Sequence, residues 1–244
     1  MTQANFLAQL TDGAVIHNAT LHDADLSGTQ AYDVVLRDCI FSNVNFARAD
    51  WEGVQAENCV FHRCRLVGMG LDTAVFTNCQ FFDAENSTGC DFQQAKLRHA
   101  SFHKCNLAMC NFEEAQLLQI TIHDCHAVGA IFFRADFKGA ATLTKNNLQY
   151  ANLRGAQLAK CDLSHNNFVW ANLDEANLAE ANLMGCDLNG ITYRYTKFLG
   201  ADLRGAELIA INLREADLRG VKIFDSQMRQ LIETCEIIIF PDNK

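Results

Sequence analysis

The chain has 244 residues, 49% of them apolar, with 29 acidic against 20 basic side chains and a formal net charge of −9. That is enough apolar material for one domain or one repeat array with a buried core, while no uncharged apolar run approaches the ~18 residues of a spanning helix. The acidic balance speaks against direct nucleic-acid binding, and the opening MTQANFLAQLTDG lacks the basic start and apolar stretch of a secretory leader, so a cytoplasmic location is expected.

Residues 1–13, with Phe6, Leu7 and Leu10, are expected to form a short N-terminal cap. From Ile16 onward a large apolar residue recurs every fifth position: Leu21, Leu26, Leu36, Phe41, Phe46, Trp51 and so on. Up to Ile223 there are 41 such centres, 33 of them Leu or Phe. Two residues before each centre stands a small or modest side chain, most often Ala, Cys or Val, and no charged residue occupies either kind of position. A period of five matches neither the 3.6 of a helix nor the 2 of a strand. Each unit reads in-out-in and then two out, so its first three residues alternate like a strand. A straight strand would turn the next centre to the opposite face. The chain must therefore bend at every repeat, and equal bends produce a coil whose turns stack around one continuous interior.

The frame slips twice. The first slip lies near 83–91, in Asp83-Ala84-Glu85-Asn86-Ser87-Thr88-Gly89, where Asn86 falls at a position due for a centre. The second lies near 138–147, from Lys138 to Asn147. Register allows an insertion of one residue or of six at each place. The first gives a bulge that bends the rod; the second gives a projecting loop able to grip a partner. On the loop reading the candidate contact residues are Glu85, Asn86, Ser87, Thr88, Thr142, Thr144, Lys145 and Asn146.

Asp is favoured directly before centres, and Asp162, Glu175, Asp187, Asp202, Glu215 and Asp217 are candidates for an acidic face. Either these acids serve turn chemistry and solubility, or they form a stripe for a basic partner. Beyond Ile223 the pattern stops. Asp225 or Ser226 can cap a helix, and Met228, Leu231, Ile232 and Cys235 follow at i, i+3, i+4 and i+7. The run Ile237-Ile238-Ile239-Phe240 then reads as a strand stopped by Pro241. Residues 225–244 either cap this chain or pair two rod ends through Met228, Leu231, Ile232, Ile237, Ile238, Ile239 and Phe240. There is no HExxH, Walker loop or Gly-x-Ser-x-Gly, and a filled rod offers no concave pocket, so no enzyme activity, metal or cofactor is expected.

Units such as Ala151-Asn152-Leu153, Ala171-Asn172-Leu173, Ala181-Asn182-Leu183, Ala201-Asp202-Leu203 and Ala216-Asp217-Leu218 match the A(D/N)LXX motif and closely resemble the pentapeptide repeat family over roughly residues 14–224. The resemblance implies an all-β fold, a right-handed quadrilateral β-helix with four pentapeptides per coil, here with a short C-terminal helix and strand. Some ten coils at the ~4.8 Å inter-strand distance make a rod of roughly 50 Å. With twenty residues per coil, Cys39, Cys59 and Cys79 stack, as do Cys105 with Cys125 and Cys90 with Cys110; they read as compact interior fillers. His103 and His123 stack on the outside.

The tail Gly220-Val221-Lys222-Ile223, Asp225, Gln227, Gln230-Leu231, Glu233, Ile237, Ile239 and Pro241-Asp242 is similar to the C-terminal module of Qnr-type quinolone-resistance proteins, as are Asn166-Asn167 and Leu183-Met184-Gly185 upstream. That group, with MfpA and AlbG, implies a homodimer formed through the tail, two projecting loops, and a DNA-like rod that acts on DNA gyrase or topoisomerase IV to counter quinolones or toxins. A rod of ~50 Å of duplex carries about thirty negative charges, so a chain of net −9 would need local acidic stripes to mimic it. A protein-interaction scaffold of another kind is the alternative.

Overall fold

A computed structural model describes residues 1–138, 140–209, 211–212 and 216–233. Helix α1 (Gln3–Gln9) comes first, with the Thr2 side chain accepting from the Asn5 N–H at its N-cap. Short strands succeed it: β1 (Val15–His17), β2 (Thr20–His22), β3 (Val35–Arg37), β4 (Ile40–Ser42), β5 (Gln55–Glu57), β6 (Val60–His62) and β7 (Val75–Thr77). Next come β8 (Phe82–Asp83), β9 (Thr88–Gly89), β10 (Ser101–His103), β11 (Thr121–His123), β12 (Thr142–Thr144) and helix α2 (Asp225–Glu233).

The strands stack in parallel rather than side by side along the chain. A seven-stranded sheet runs β1-β3-β5-β7-β10-β11-β12, pairing Ile16 with Leu36 and Leu36 with Ala56. Single bridges continue this first face through Asp162, Asn182 and Asp202 to Lys222. The other three faces are built the same way. The second carries β2-β4-β6 and continues from Gln80 to Glu207; the third runs from Asp25 to Thr192; the fourth runs from Gln30 to Lys197. The fold is thus a four-sided β-solenoid with one pentad per side.

Every described centre is buried except Tyr193, Leu218 and Ile223, which pack partly exposed against the core. Phenylalanines form continuous stacks: Phe41 on Phe61 at 5.1 Å, Phe61 on Phe81 at 4.9 Å, and Phe92, Phe112 and Phe132 at 4.7 and 5.0 Å. Each such ring contributes roughly 1.5–3 kcal/mol by burial alone. At the N-terminal end Phe6 of α1 is wholly buried, edge-on to Phe41 and stacked on Trp51.

The bends come from the second residue after each centre, which adopts a left-handed backbone almost throughout. Asn18 has φ 54°, Gly53 73° and Glu175 62°. On the third and fourth faces the centre's carbonyl also accepts the N–H three residues on, as from Ala49 to Phe46 and from Val54 to Trp51, the type II turn pattern. The first face lacks that bond in its strand-bearing coils, and its corner N–H groups turn to interior side chains instead. Cys105 N–H donates to Cys125 Sγ at 3.3 Å, Cys125 N–H to Asn146 Oδ1 at 2.9 Å, and Asn146 N–H to Asn166 Oδ1 at 2.7 Å. The cysteines therefore act as acceptors as well as fillers. The ten described ones are free thiols in the core, and burial pushes Cys161 up to about 11 and Cys186 up to about 12, which keeps both protonated.

Candidate partner-binding surface

The two frame slips have different structures. Phe76 pairs with Phe102, six residues beyond the regular twenty, so the first slip extrudes a whole unit plus one residue. The extra chain forms an antiparallel hairpin in which Phe82 pairs with Gly89 and Asp83 with Thr88. Glu85, Asn86, Ser87 and Thr88 are all exposed at its tip. Asp83 organises the tip from below: its Oδ1 accepts the N–H groups of Glu85 (3.0 Å) and Asn86 (3.4 Å), and its Oδ2 accepts Asn86 Nδ2 (2.7 Å). Arg63, one coil earlier, reaches the same carboxylate at 3.3 Å. The Asn86 side-chain bond, with help from the two amides, holds the Asp83 carboxyl below the usual carboxylate range. At the other foot a Cβ on Gly89 would lie 2.3 Å from both Met109 C and Cys110 N, so only glycine lets the hairpin descend onto the next coil. Sequence reasoning missed Asp83, Arg63 and Gly89. The available signal was an Asp at the start of a short polar segment, able to accept the N–H two residues on in an Asx-turn.

At the second slip Ile122 pairs with Leu143, only one residue beyond the regular twenty. Of the two readings open at 138–147 the one-residue insertion is the one found, not the projecting loop: the extra residue is taken up before Ala141, with Ala140 at φ 62°. Thr142 and Thr144 lie in β12, opposite Thr121 and His123. Lys145 occupies an ordinary left-handed corner, and Asn146 points into the core, 2% exposed, donating to the Ile122 carbonyl at 2.9 Å. A one-residue excess fits within a turn, so nothing is extruded.

The acidic candidates are engaged locally. Asp162 accepts the Ser164 N–H (3.1 Å) and Asn182 Nδ2 (2.9 Å), and Asp187 accepts the Asn189 N–H (3.0 Å). The same bond recurs at Asn and Asp before many other centres, which explains their preference there as turn chemistry. Asp202 and Asp217 each hold an arginine two residues on, Arg204 at 2.7 Å and Arg219 at 2.6 Å; those arginine hydrogen bonds lower both carboxyls. Glu175 pairs with Arg154 at 2.6 Å. Glu215 lies outside the described residues. Glu175, Asp202 and Asp217 are thus each balanced by an arginine, while Asp162 and Asp187 are held by neutral groups and keep their charge.

At the C-terminal end Gln227 of α2 ties the helix to the last coils. Its Oε1 accepts the Gly205 and Phe224 N–H groups, and its Nε2 donates to the Leu203 and Ala206 carbonyls, all within 3.0 Å. Leu231 packs into the chain's own core, Ile232 is half-buried and Met228 is exposed beside exposed Phe224. Leu231 is therefore a core residue rather than an exposed contact, while Ile237, Ile238, Ile239, Phe240 and Cys235 lie outside the described residues. His103 and His123 stack at 6.4 Å, with His123 Nδ1 2.8 Å from Thr144 Oγ1. Among the described residues no group of three or more metal-ligating side chains comes together, and no helix is long and apolar enough to cross a membrane.

A family model described as Pentapeptide repeats matches the chain in eight copies, over residues 39–83, 88–117, 151–190, 181–220 and 196–229. Two relatives align over 131 residues, half of this chain: the quinolone resistance pentapeptide repeat protein QnrB96 of Scandinavium goeteborgense at 34% identity and the pentapeptide repeat protein QnrB4 of Escherichia coli at 32%. The chain spans 61% of the length of each. Among solved structures, a trypsin-treated variant of QnrB1, a plasmid-mediated fluoroquinolone resistance protein, superposes with a TM-score of 0.75 at 28% identity, covering 93% of this chain and all of that one. HetL, a protein of the cyanobacterium Nostoc involved in heterocyst differentiation regulation, shares the fold at 22% identity and a TM-score of 0.54.

Proposed function

Since the chain belongs to the pentapeptide repeat family and is of Qnr type, we propose that it is a non-enzymatic quinolone-resistance protein whose partner is a type II topoisomerase, DNA gyrase or topoisomerase IV. The observation that carries this reading is the superposition on QnrB1, which takes in 93% of this chain and all of that one at 28% identity. In this reading the protein works in the cytoplasm as a homodimer joined through residues 225–244. It binds neither nucleic acid nor membrane, and it meets the topoisomerase through the rod and the hairpin at 84–88.

The shape supports a DNA-like rod, whereas the local pairing of Asp202, Asp217 and Glu175 with arginines places less weight on charge mimicry. A gyrase supercoiling assay with ciprofloxacin tests the proposal: the protein is expected to restore supercoiling or to inhibit it at micromolar concentration. Neither effect at that concentration would remove the topoisomerase reading. Ile238→Asp is expected to halve the mass seen by light scattering, and an unchanged mass would remove the dimer module.

A further inference from the structure

One corner of the rod differs from the others in its chemistry. Below the hairpin the second and third faces meet at Met109, Gly129, Tyr150 and Trp170, one per coil. Beside this column run Ala108, Val128, Gln149 and Val169 on one side and Asn111, Ile131, Asn152 and Asn172 on the other. Not one of these side chains is charged. The next corner round, between the third and fourth faces, carries Glu113, Glu114, Arg134, Arg154, Asp174 and Glu175 over the same coils.

The neutral corner also presents large, exposed side chains with apolar bodies along its edge. Met109 is 50% exposed, Tyr150 61% and Trp170 60%, among the largest exposures of bulky side chains in the described rod. Two glycines let these groups lie along the corner instead of standing off it. A Cβ on Gly129 would come within 2.5 Å of Met109 Sδ, and one on Gly190 within 2.6 Å of the Trp170 ring. The result is a smooth rib that begins at the foot of the hairpin, where Gly89 rests on Met109 and Cys110.

We infer that this uncharged rib, continuous with the hairpin, is the surface against which the topoisomerase lays the apolar face of an α-helix along the rod axis. The inference rests on the function proposed above and specifies its contact. The absence of charge selects an uncharged, largely apolar partner surface, because a basic one would find no counter-charge there. The repeat selects a helix: rungs succeed one another at ~4.8 Å, close to the ~5.4 Å pitch of an α-helix, so side chains at i, i+4 and i+7 keep step with successive coils. Exposed Trp and Tyr on a rigid scaffold are the residue types that dominate such contacts.

The test replaces Tyr150 and Trp170 together by Asn, which suits their left-handed backbone (φ 58° and 60°) and adds no charge. Binding of the full chain to immobilised gyrase holoenzyme is measured at low and at high salt, with thermal melts and light scattering as controls. The double variant is expected to melt as the parent does, to keep its mass, and to bind at least about tenfold more weakly. The parent's affinity is expected to change little with salt. Parent-like binding by the variant overturns the rib while leaving the topoisomerase reading intact. A steep loss of parent affinity with salt overturns the rib in favour of the acidic side chains. A change of mass assigns the rib to self-association and likewise overturns the inference. A parent that does not bind gyrase at all removes both this inference and the function on which it rests.

Discussion

The two interruptions of the repeat look alike on paper and behave differently in space. Each displaces the frame by one residue, yet the first carries a six-residue hairpin with an exposed tip while the second adds a single residue inside a turn. The difference lies in what each segment can satisfy. Asp83 gathers two amides, a side-chain amide and Arg63 around one carboxylate, so an excursion of the backbone finds partners away from the ladder. Before Ala141, Asp136 binds only the N–H and ammonium of Lys138 among the described residues, and the chain rejoins the rungs at once. A solenoid tolerates both because each coil contacts only its neighbours.

The hairpin is most vulnerable at Gly89. Gly89→Val sets a branched side chain against the backbone of Met109 and Cys110 and is expected to cost about 3 kcal/mol, a fall of about 10 °C in Tm by calorimetry. A Tm within a degree of the parent would show that the hairpin is not seated on that coil. Below the second interruption, Asn146→Ala removes the acceptor of the Cys125 N–H and leaves that group buried without a partner. The expected loss is about 2 kcal/mol, and Asn146→Cys should recover part of it by extending the thiol column, as Cys125 serves Cys105. If the Cys variant is no better than Ala, the acceptor role of these thiols is wrong.

Excision separates the two interruptions further. Removing 83–88 joins Phe82 to Gly89 and restores an unbroken pentad frame, as does removing Ala140 at the second site. Both products should melt within about 2–4 °C of the parent, since the rungs keep all their pairings. Only the first should lose affinity for gyrase. The smallest effect concerns acid. The Asp83 carboxyl titrates below its ordinary value of 3.8 in the folded chain, so its hold on the hairpin is complete above that value and fades as pH falls through the lower, folded one. Hydrogen exchange at the Glu85 and Asn86 amides should be slow at neutral pH, and its protection should disappear only in strong acid. Loss of protection already near pH 5 would contradict these bonds to Asp83.

The pentad frame was legible because it is a local rule repeated many times. Leu153, Phe112 and Ala181 each announce an inward position, and burial agrees with the frame at all but three described centres. The site was much less legible. Asn146 reads as a polar loop residue, and nothing in its neighbours says that a buried amide one coil away needs its oxygen. Asp202 and Glu175 read as surface charge, although the arginines that balance them stand two residues away in one case and a full coil away in the other.

The order of residues alone set the five-residue period, the inward face of each unit, the stacking of the coils and the places where that stacking is disturbed. Packing between coils decided the rest: which disturbance projects, that Arg154 reaches Glu175, and that Met109, Tyr150 and Trp170 share one bare corner. The physical reason is that a frame counted in fives cannot distinguish one extra residue from six. Contacts between coils join residues some twenty positions apart, and only the stacked rungs bring those residues together.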